Sequence, residues 1–223
     1  MNGLHRAYLL LYNVILAAGW ASIGWAAVRE YNQSGHVNHL FRATEKSLFI
    51  FQTAAVLEVL NAALGLVKSS VMITAFQVAS RLFLIWGVLS PVPQTQNSLG
   101  YVLILCAWTV TEVIRYTFYA LNQLNMTPYL LTYLRYTLFI ILYPMGVTGE
   151  LICIAKALPV VLSAKLYSWG LPNAWNLSFD YYYVLIGVIP LYVIFFPQLY
   201  SHMFRQRKKI LSPRSVDKEV KSR

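Results

Sequence analysis

Long apolar stretches separated by short polar ones organise this chain, and their lengths set the first expectation. A helix crossing the hydrocarbon of a bilayer needs roughly 20 mostly apolar residues. Residues 8–28 meet that requirement without one charge. Residues 29–47 are polar, with Glu30, His36, His39, Arg42, Glu45 and Lys46 among them, and read as a loop. A second apolar run, 48–67, carries Glu58. It turns through Lys68, Ser69 and Ser70 into a third, 71–89, which carries Arg81. Pro91, Pro93 and neighbouring Gln and Asn residues mark 90–98 as loop. The fourth run, 99–121, holds Glu112 and Arg115, and a short polar connection, 122–128, follows. Residues 129–158 are apolar except for Arg135, Glu150 and Lys156. That run exceeds one membrane thickness, so it must tilt, kink or protrude. Residues 159–180, with two prolines and two tryptophans, read as loop, and 181–199 is the sixth run. The pattern predicts an all-α integral membrane protein, a bundle of six transmembrane helices over residues 1–204, followed by a basic tail over 205–223.

Composition agrees. Of 223 residues, 58% are hydrophobic and 12% charged, about half the charged fraction of an ordinary soluble domain. No room remains for a separate soluble domain. The formal net charge is +10, but eight of the eighteen Lys and Arg residues lie in the tail, and without the tail the chain carries +4. A basic cluster just after a hydrophobic span marks a cytoplasmic end held near anionic lipid, rather than a nucleic-acid surface. Six spans put both termini on one side. With the tail inside, Arg6, Lys68 and the tail oppose Arg29, Arg42, Lys46, Lys156 and Lys165 outside, and the bias predicts cytosolic termini. The sequons Asn32-Gln33-Ser34 and Asn176-Leu177-Ser178 then fall on the luminal side. The first apolar run is too long for a cleavable signal peptide and is expected to remain as a span. Cys106 and Cys153 sit in apolar runs and read as small buried hydrophobes. The sequence has no disulfide framework, metal spacing or cofactor motif.

The candidate chemistry lies in the residues that lipid penalises. Glu58, Arg81, Glu112, Arg115, Arg135 and Glu150 all fall within predicted spans, at ~2.5–3.5 kcal/mol for each charge at a helix centre. Three acids and three arginines can offset one another if they face the bundle interior. Glu112 and Arg115, three apart, are close enough to pair. Either all six form an internal polar network that fixes helix register, or some of the arginines bind an anionic or carbonyl part of a ligand.

The fifth run reads Leu142-Tyr143-Pro144-Met145-Gly146-Val147-Thr148-Gly149-Glu150. Seven residues at 100° each bring Glu150 to within about 20° of Tyr143, ~10.5 Å further along the axis. The two therefore point into one cavity. Pro144 removes a backbone hydrogen bond and crowds the Ile140 carbonyl, so a kink is expected there. Gly146 and Gly149 leave room for close approach. A carboxyl and a tyrosine hydroxyl in one intramembrane cavity suit proton abstraction with assisted departure of a leaving group.

These residues resemble the very-long-chain (3R)-3-hydroxyacyl-CoA dehydratases, the protein tyrosine phosphatase-like family, with plant PASTICCINO-type members looking closest. The resemblance runs over almost the whole chain. It rests on Tyr8 to Asn13, Gln52 to Glu58, Ser80-Arg81, Trp108, Thr111 to Tyr116, Leu134-Arg135-Tyr136, Leu142 through Glu150, Asn176 to Asp180 and the basic ending. It implies a six-span enzyme of the endoplasmic reticulum membrane with both ends cytosolic. It also implies the third step of very-long-chain fatty-acid elongation, a lyase reaction that removes water from 3-hydroxyacyl-CoA to give trans-2-enoyl-CoA without cofactor or metal. The family's catalytic tyrosine and glutamate map onto Tyr143 and Glu150, with the choice of acid and base open. Long-chain 3-hydroxyacyl-CoA, membrane lipid and the elongases and reductases of the cycle are the implied partners. The family's phosphatase-like segment reads Asn61-Ala62-Ala63-Leu64-Gly65-Leu66-Val67-Lys68 here, without a cysteine nucleophile. Two other readings stand beside this one: a non-catalytic membrane scaffold for elongase partners, and a small transporter built on the Pro- and Gly-interrupted fifth run.

Overall fold

A computed structural model describes residues 3–212, all of the regular structure among them helical. The helices are α1 (Gly3–Ser34), α2 (Leu40–Ala54), α3 (Val56–Ala63), α4 (Val71–Leu82), α5 (Pro93–Gln96), α6 (Leu99–Gln123), α7 (Tyr129–Arg135), α8 (Phe139–Ala164) and α9 (Tyr181–Ile210). A 3-10 turn, Val37–His39, precedes α2, and a π-helical stretch, Phe83–Leu89, continues α4.

Large apolar side chains cover the outside, among them Met72 (82% exposed), Val193 (71%) and Ile141 (67%). A water-soluble protein would bury such surface; a multi-pass membrane protein presents it to lipid. Among the described residues, five stretches are long and apolar enough to cross a bilayer: Gly3–Ser34, Val71–Leu89, Leu99–Gln123, Tyr129–Ala164 and Tyr181–Ile210. The predicted second span, 48–67, falls instead on α2 and α3, which meet at Ala55. There the backbone tightens, with Ala55 N–H bonding Gln52 O (3.2 Å) and Glu58 N–H bonding Ala55 O (2.9 Å). Glu58 thus stands in the first turn of α3, where a helix dipole favours a carboxylate.

Other predicted boundaries move. The polar stretch 29–47 is mostly helical, because α1 runs on to Ser34 and α2 starts at Leu40. The run 129–158 is two helices rather than one, turning between Arg135 and Phe139. Pro159 does not begin a loop; α8 continues to Ala164 and ends where Lys165 adopts a left-handed conformation (φ 49°). Proline within a spanning helix is tolerated where neighbouring groups satisfy the freed carbonyl. Helix α9 passes the predicted tail boundary at Arg205 and ends at Ile210; residues 213–223 of the predicted tail lie outside the described residues. Cys153 is buried, but Cys106 is exposed on the lipid-facing surface, so only one of the two cysteines is a core residue.

Helix α6 is the central strut, packed between α1 and α8, and it buries Tyr101, Ile104, Trp108 and Tyr116. The α6–α8 contact is closest at two glycines. A Cβ on Gly149 would stand 2.7 Å from the Gly100 carbonyl oxygen, and one on Gly100 2.8 Å from the Gly149 oxygen. Only glycine permits that approach. It lays Gly149 against Ile104 and Gly146 against Ala107, so the two helices run antiparallel and the Tyr143–Glu150 stretch lies beside the middle of α6.

Candidate active site

Helix α8 carries Tyr143 and Glu150 through Pro144 without a break. Pro144 has no N–H to offer the Ile140 carbonyl, and the Tyr200 hydroxyl donates to that oxygen instead (3.0 Å). The same ring stacks on Tyr143 (centroids 6.0 Å, 12°), and Phe196 stacks on Tyr143 as well (5.1 Å, 6°). The phenol ring is thereby held between α8 and α9. Among the described residues, no hydrogen bond engages the Tyr143 hydroxyl.

Glu150 is fixed from two sides. Trp108 of α6 donates its Nε1–H to Oε1 (3.1 Å), and the Tyr192 hydroxyl of α9 donates to Oε2 (2.7 Å). Each carboxyl oxygen therefore has a partner, and the two contacts from different helices fix the orientation of the group. Trp108 is positioned in turn by the Arg81 guanidinium, 4.9 Å over its ring, a contact that binds more strongly away from water.

Four of the predicted intramembrane charges form one network. Glu112, nearly fully buried, pairs with Arg81 and with Arg115 (Nη2–Oε2 2.5 Å). Arg115 grips Glu58 through both terminal nitrogens, each at 2.7 Å. The Tyr116 hydroxyl closes the cluster on Glu58. The sequence expectation that Glu112 and Arg115 pair holds. Such a network stands in low dielectric only because each charge has a partner.

Arg135 does not belong to it. Its guanidinium lies against the rings of Phe118, Tyr119 and Tyr136 and donates to the Tyr119 hydroxyl (2.8 Å). No carboxylate meets it among the described residues, and its Nε is buried without an acceptor. Arg135, on α7, meets α6 at Tyr119, seven residues or about two turns past Glu112, a separation invisible in one dimension.

Tyr192 is the residue that reading the sequence misses. A signal exists: it is the sole polar-tipped side chain in the apolar run 184–197. Two open surface clefts at the α1–α2 junction, lined by Trp25, Arg29, Glu30 and Arg42 among others, involve neither Tyr143 nor Glu150. Among the described residues, no group of three His, Cys, Asp or Glu side chains is placed to hold a metal ion.

Comparison with known proteins adds to this geometry. The family described as protein tyrosine phosphatase-like protein, PTPLA, matches residues 52–213. Human very-long-chain (3R)-3-hydroxyacyl-CoA dehydratase 2 is 53% identical over 209 residues, 94% of this chain and 82% of its own. The Caenorhabditis elegans dehydratase hpo-8 is 45% identical over 96% of this chain and 99% of its own. Arabidopsis thaliana PASTICCINO 2, also named a very-long-chain (3R)-3-hydroxyacyl-CoA dehydratase, is 41% identical over 95% and 96%. The human relative is more alike than the plant one, so the likeness does not single out plant members. No solved structure matches. On the extent of the family match and these identities, the chain belongs to the protein tyrosine phosphatase-like (PTPLA) family.

Proposed function

We propose that this chain dehydrates (3R)-3-hydroxyacyl-CoA to trans-2-enoyl-CoA, the third step of very-long-chain fatty-acid elongation, with Tyr143 and Glu150 as its catalytic residues. One observation carries the reading. A carboxylate with both oxygens held by fixed donors shares a helix face with a tyrosine whose hydroxyl is uncommitted. The names borne by the relatives support the same reaction.

Glu150, an acceptor at both oxygens, takes the C2 proton, which the thioester acidifies. The C2–H electron pair becomes the C2=C3 double bond as the C3–O bond breaks. Tyr143 gives its proton to the departing hydroxyl, which leaves as water, and the proton on Glu150 passes back to the tyrosine through solvent. Both side chains lie near mid-bundle, among apolar helix faces that suit a long acyl chain. The hydrogen bonds from Trp108 and Tyr192 hold Glu150 in place for this step. In this scheme the Glu58–Arg81–Glu112–Arg115 network holds the helices in register and is not chemically consumed.

Within the same proposal, α2 with α3 supplies a sixth crossing beside the five long stretches. An even count sets both termini on one side, and the basic residues near the ends support the cytosol as that side. The relatives' names support the endoplasmic reticulum membrane of the elongation cycle, with elongases and reductases as neighbours. The test is purified protein in lipid nanodiscs with a long-chain (3R)-3-hydroxyacyl-CoA. Formation of trans-2-enoyl-CoA supports the reading, and a folded but inert protein contradicts it.

A further inference from the structure

Of the three arginines within the predicted spans, two are committed. Arg81 and Arg115 each meet a carboxylate. Arg135 meets only aromatic rings and one phenol among the described residues, with a buried Nε that has no acceptor. A half-buried guanidinium without a counter-charge is costly. It becomes favourable when a ligand brings the anion.

Its position says which part of a ligand. Helix α6 presents Trp108, Glu112, Arg115 and Tyr119 at spacings of four, three and four residues. Eleven residues at 100° bring Tyr119 to within ~20° of Trp108 in azimuth and ~16.5 Å along the axis. Trp108 touches Glu150 at one end of this stripe, and Tyr119 touches Arg135 at the other. Arg135 therefore lies on the same line as the candidate acid and base, one extended pantetheine arm away. Among the described residues, the charges at the end it marks are all positive. Arg6 bonds the Gln123 carbonyl at the foot of α6 (2.7 Å), His5 meets Leu66 O beside Lys68 (3.1 Å), and Phe204, just before the basic 205–209 run, packs on Phe139 (5.1 Å). No described carboxylate stands at this end, whereas Glu30, Glu45 and Asp180 stand at the other.

We propose that Arg135 binds a phosphate of the coenzyme A head. This places the nucleotide at the cation-only end of the bundle while the 3-hydroxyacyl carbons reach Tyr143 and Glu150. The planar guanidinium offers two parallel N–H donors to phosphate oxygens, and the Phe118, Tyr119 and Tyr136 rings keep it oriented before the ligand arrives. The assignment rests on the dehydratase reading given above.

The test compares two thioesters of one 3-hydroxyacyl chain, the CoA ester and the N-acetylcysteamine ester, which lacks every phosphate. Wild type, Arg135→Gln and Arg135→Lys are assayed in zwitterionic and in anionic nanodiscs. The preference in kcat/KM for the CoA ester falls about tenfold or more in Arg135→Gln, as loss of one charge-assisted contact requires, and the loss appears in KM rather than kcat. Arg135→Lys recovers part of that preference. Free 3′,5′-ADP inhibits the wild type and loses potency on Arg135→Gln. An unchanged preference, with both esters slowed alike, makes Arg135 a structural residue and overturns the proposal. A defect that follows the anionic-lipid content and not the ester assigns the anion to a lipid headgroup and overturns it as well. A wild type active on both esters with an indifferent Arg135→Gln sinks this inference alone. A wild type silent on both sinks the dehydratase reading and this one together.

Discussion

Replacing Tyr192 by Phe removes one oxygen and little volume, and it isolates what holds Glu150 in place. The hydroxyl donates to Oε2 at 2.7 Å, and Trp108 alone would remain on Oε1. A hydrogen bond to a charged group contributes about 1.5–3 kcal/mol. At ~1.4 kcal/mol per tenfold, its loss in the transition state slows turnover roughly 10- to 150-fold. The ring itself still packs between α8 and α9, so thermal unfolding of the variant should stay near that of the wild type. The assay follows the ultraviolet absorbance of the conjugated enoyl thioester and separates kcat from KM. The expected signature is a fall in kcat with KM little changed, because Tyr192 positions the base and does not touch the CoA head. Wild-type turnover in folded Tyr192→Phe would refute the argument that this hydroxyl orients Glu150. A loss shared by kcat, KM and melting temperature would mark Tyr192 as a packing residue only.

Gly149→Ala would set a Cβ 2.7 Å from the Gly100 carbonyl oxygen and 3.0 Å from Ile104 N, both backbone atoms that cannot swing aside. A loss of about 1–3 kcal/mol, typical of overpacking, is expected in detergent unfolding. Gly146→Ala, whose Cβ would rest 3.5 Å from Ala107 Cβ, should be nearly neutral. Equal damage from the two variants would contradict the close-packing account. Outside the membrane, Asp180 caps α9 through Tyr182 N–H and accepts from Lys165 Nζ at 2.8 Å. The Lys165 hydrogen bond, then the Tyr182 N–H, hold its carboxyl below the usual range, and the same pair raises Lys165. The Asp180 contribution is therefore full above the ordinary carboxylate value and lost as pH falls through the lowered one. The Lys165 contribution is full below the ordinary lysine value and lost as pH rises through the raised one. Asp180→Asn keeps the cap and should flatten the acid limb of stability against pH by a small amount, as exposed pairs contribute little; an unchanged acid limb would contradict the assignment.

Much of the site was legible because lipid is an unforgiving solvent. A charge inside an apolar run must find a partner, so Glu58, Arg81, Glu112 and Arg115 point to a network from the sequence itself. The seven-residue spacing of Tyr143 and Glu150 likewise fixed their shared face, since helix geometry depends on little else. What failed was whatever depends on contacts distant in sequence. Arg135 looked like a third member of the network, yet it lies past the last acid on α6 and is held by rings. Tyr192 became a partner of Glu150 only once α9 packed on α8. Pro159 suggested a helix end by a rule learned in water, and α8 runs through it. Pro144 shows how such a residue is accommodated: Tyr200, 60 positions away, answers the stranded Ile140 carbonyl. The break at Ala55 has no proline or glycine to mark it, and Glu58 within the run 48–67 reads as a charge inside one span rather than as the first turn of a new helix.

The most direct test of the central claim is trans-2-enoyl-CoA formation from (3R)-3-hydroxyacyl-CoA by wild type, Tyr143→Phe and Glu150→Gln, each shown to be folded by thermal unfolding. Activity in the wild type with loss in both folded variants is the predicted result. Turnover that survives in either variant at the wild-type rate would remove that residue from the chemistry, and a folded wild type without turnover would favour a scaffold over an enzyme.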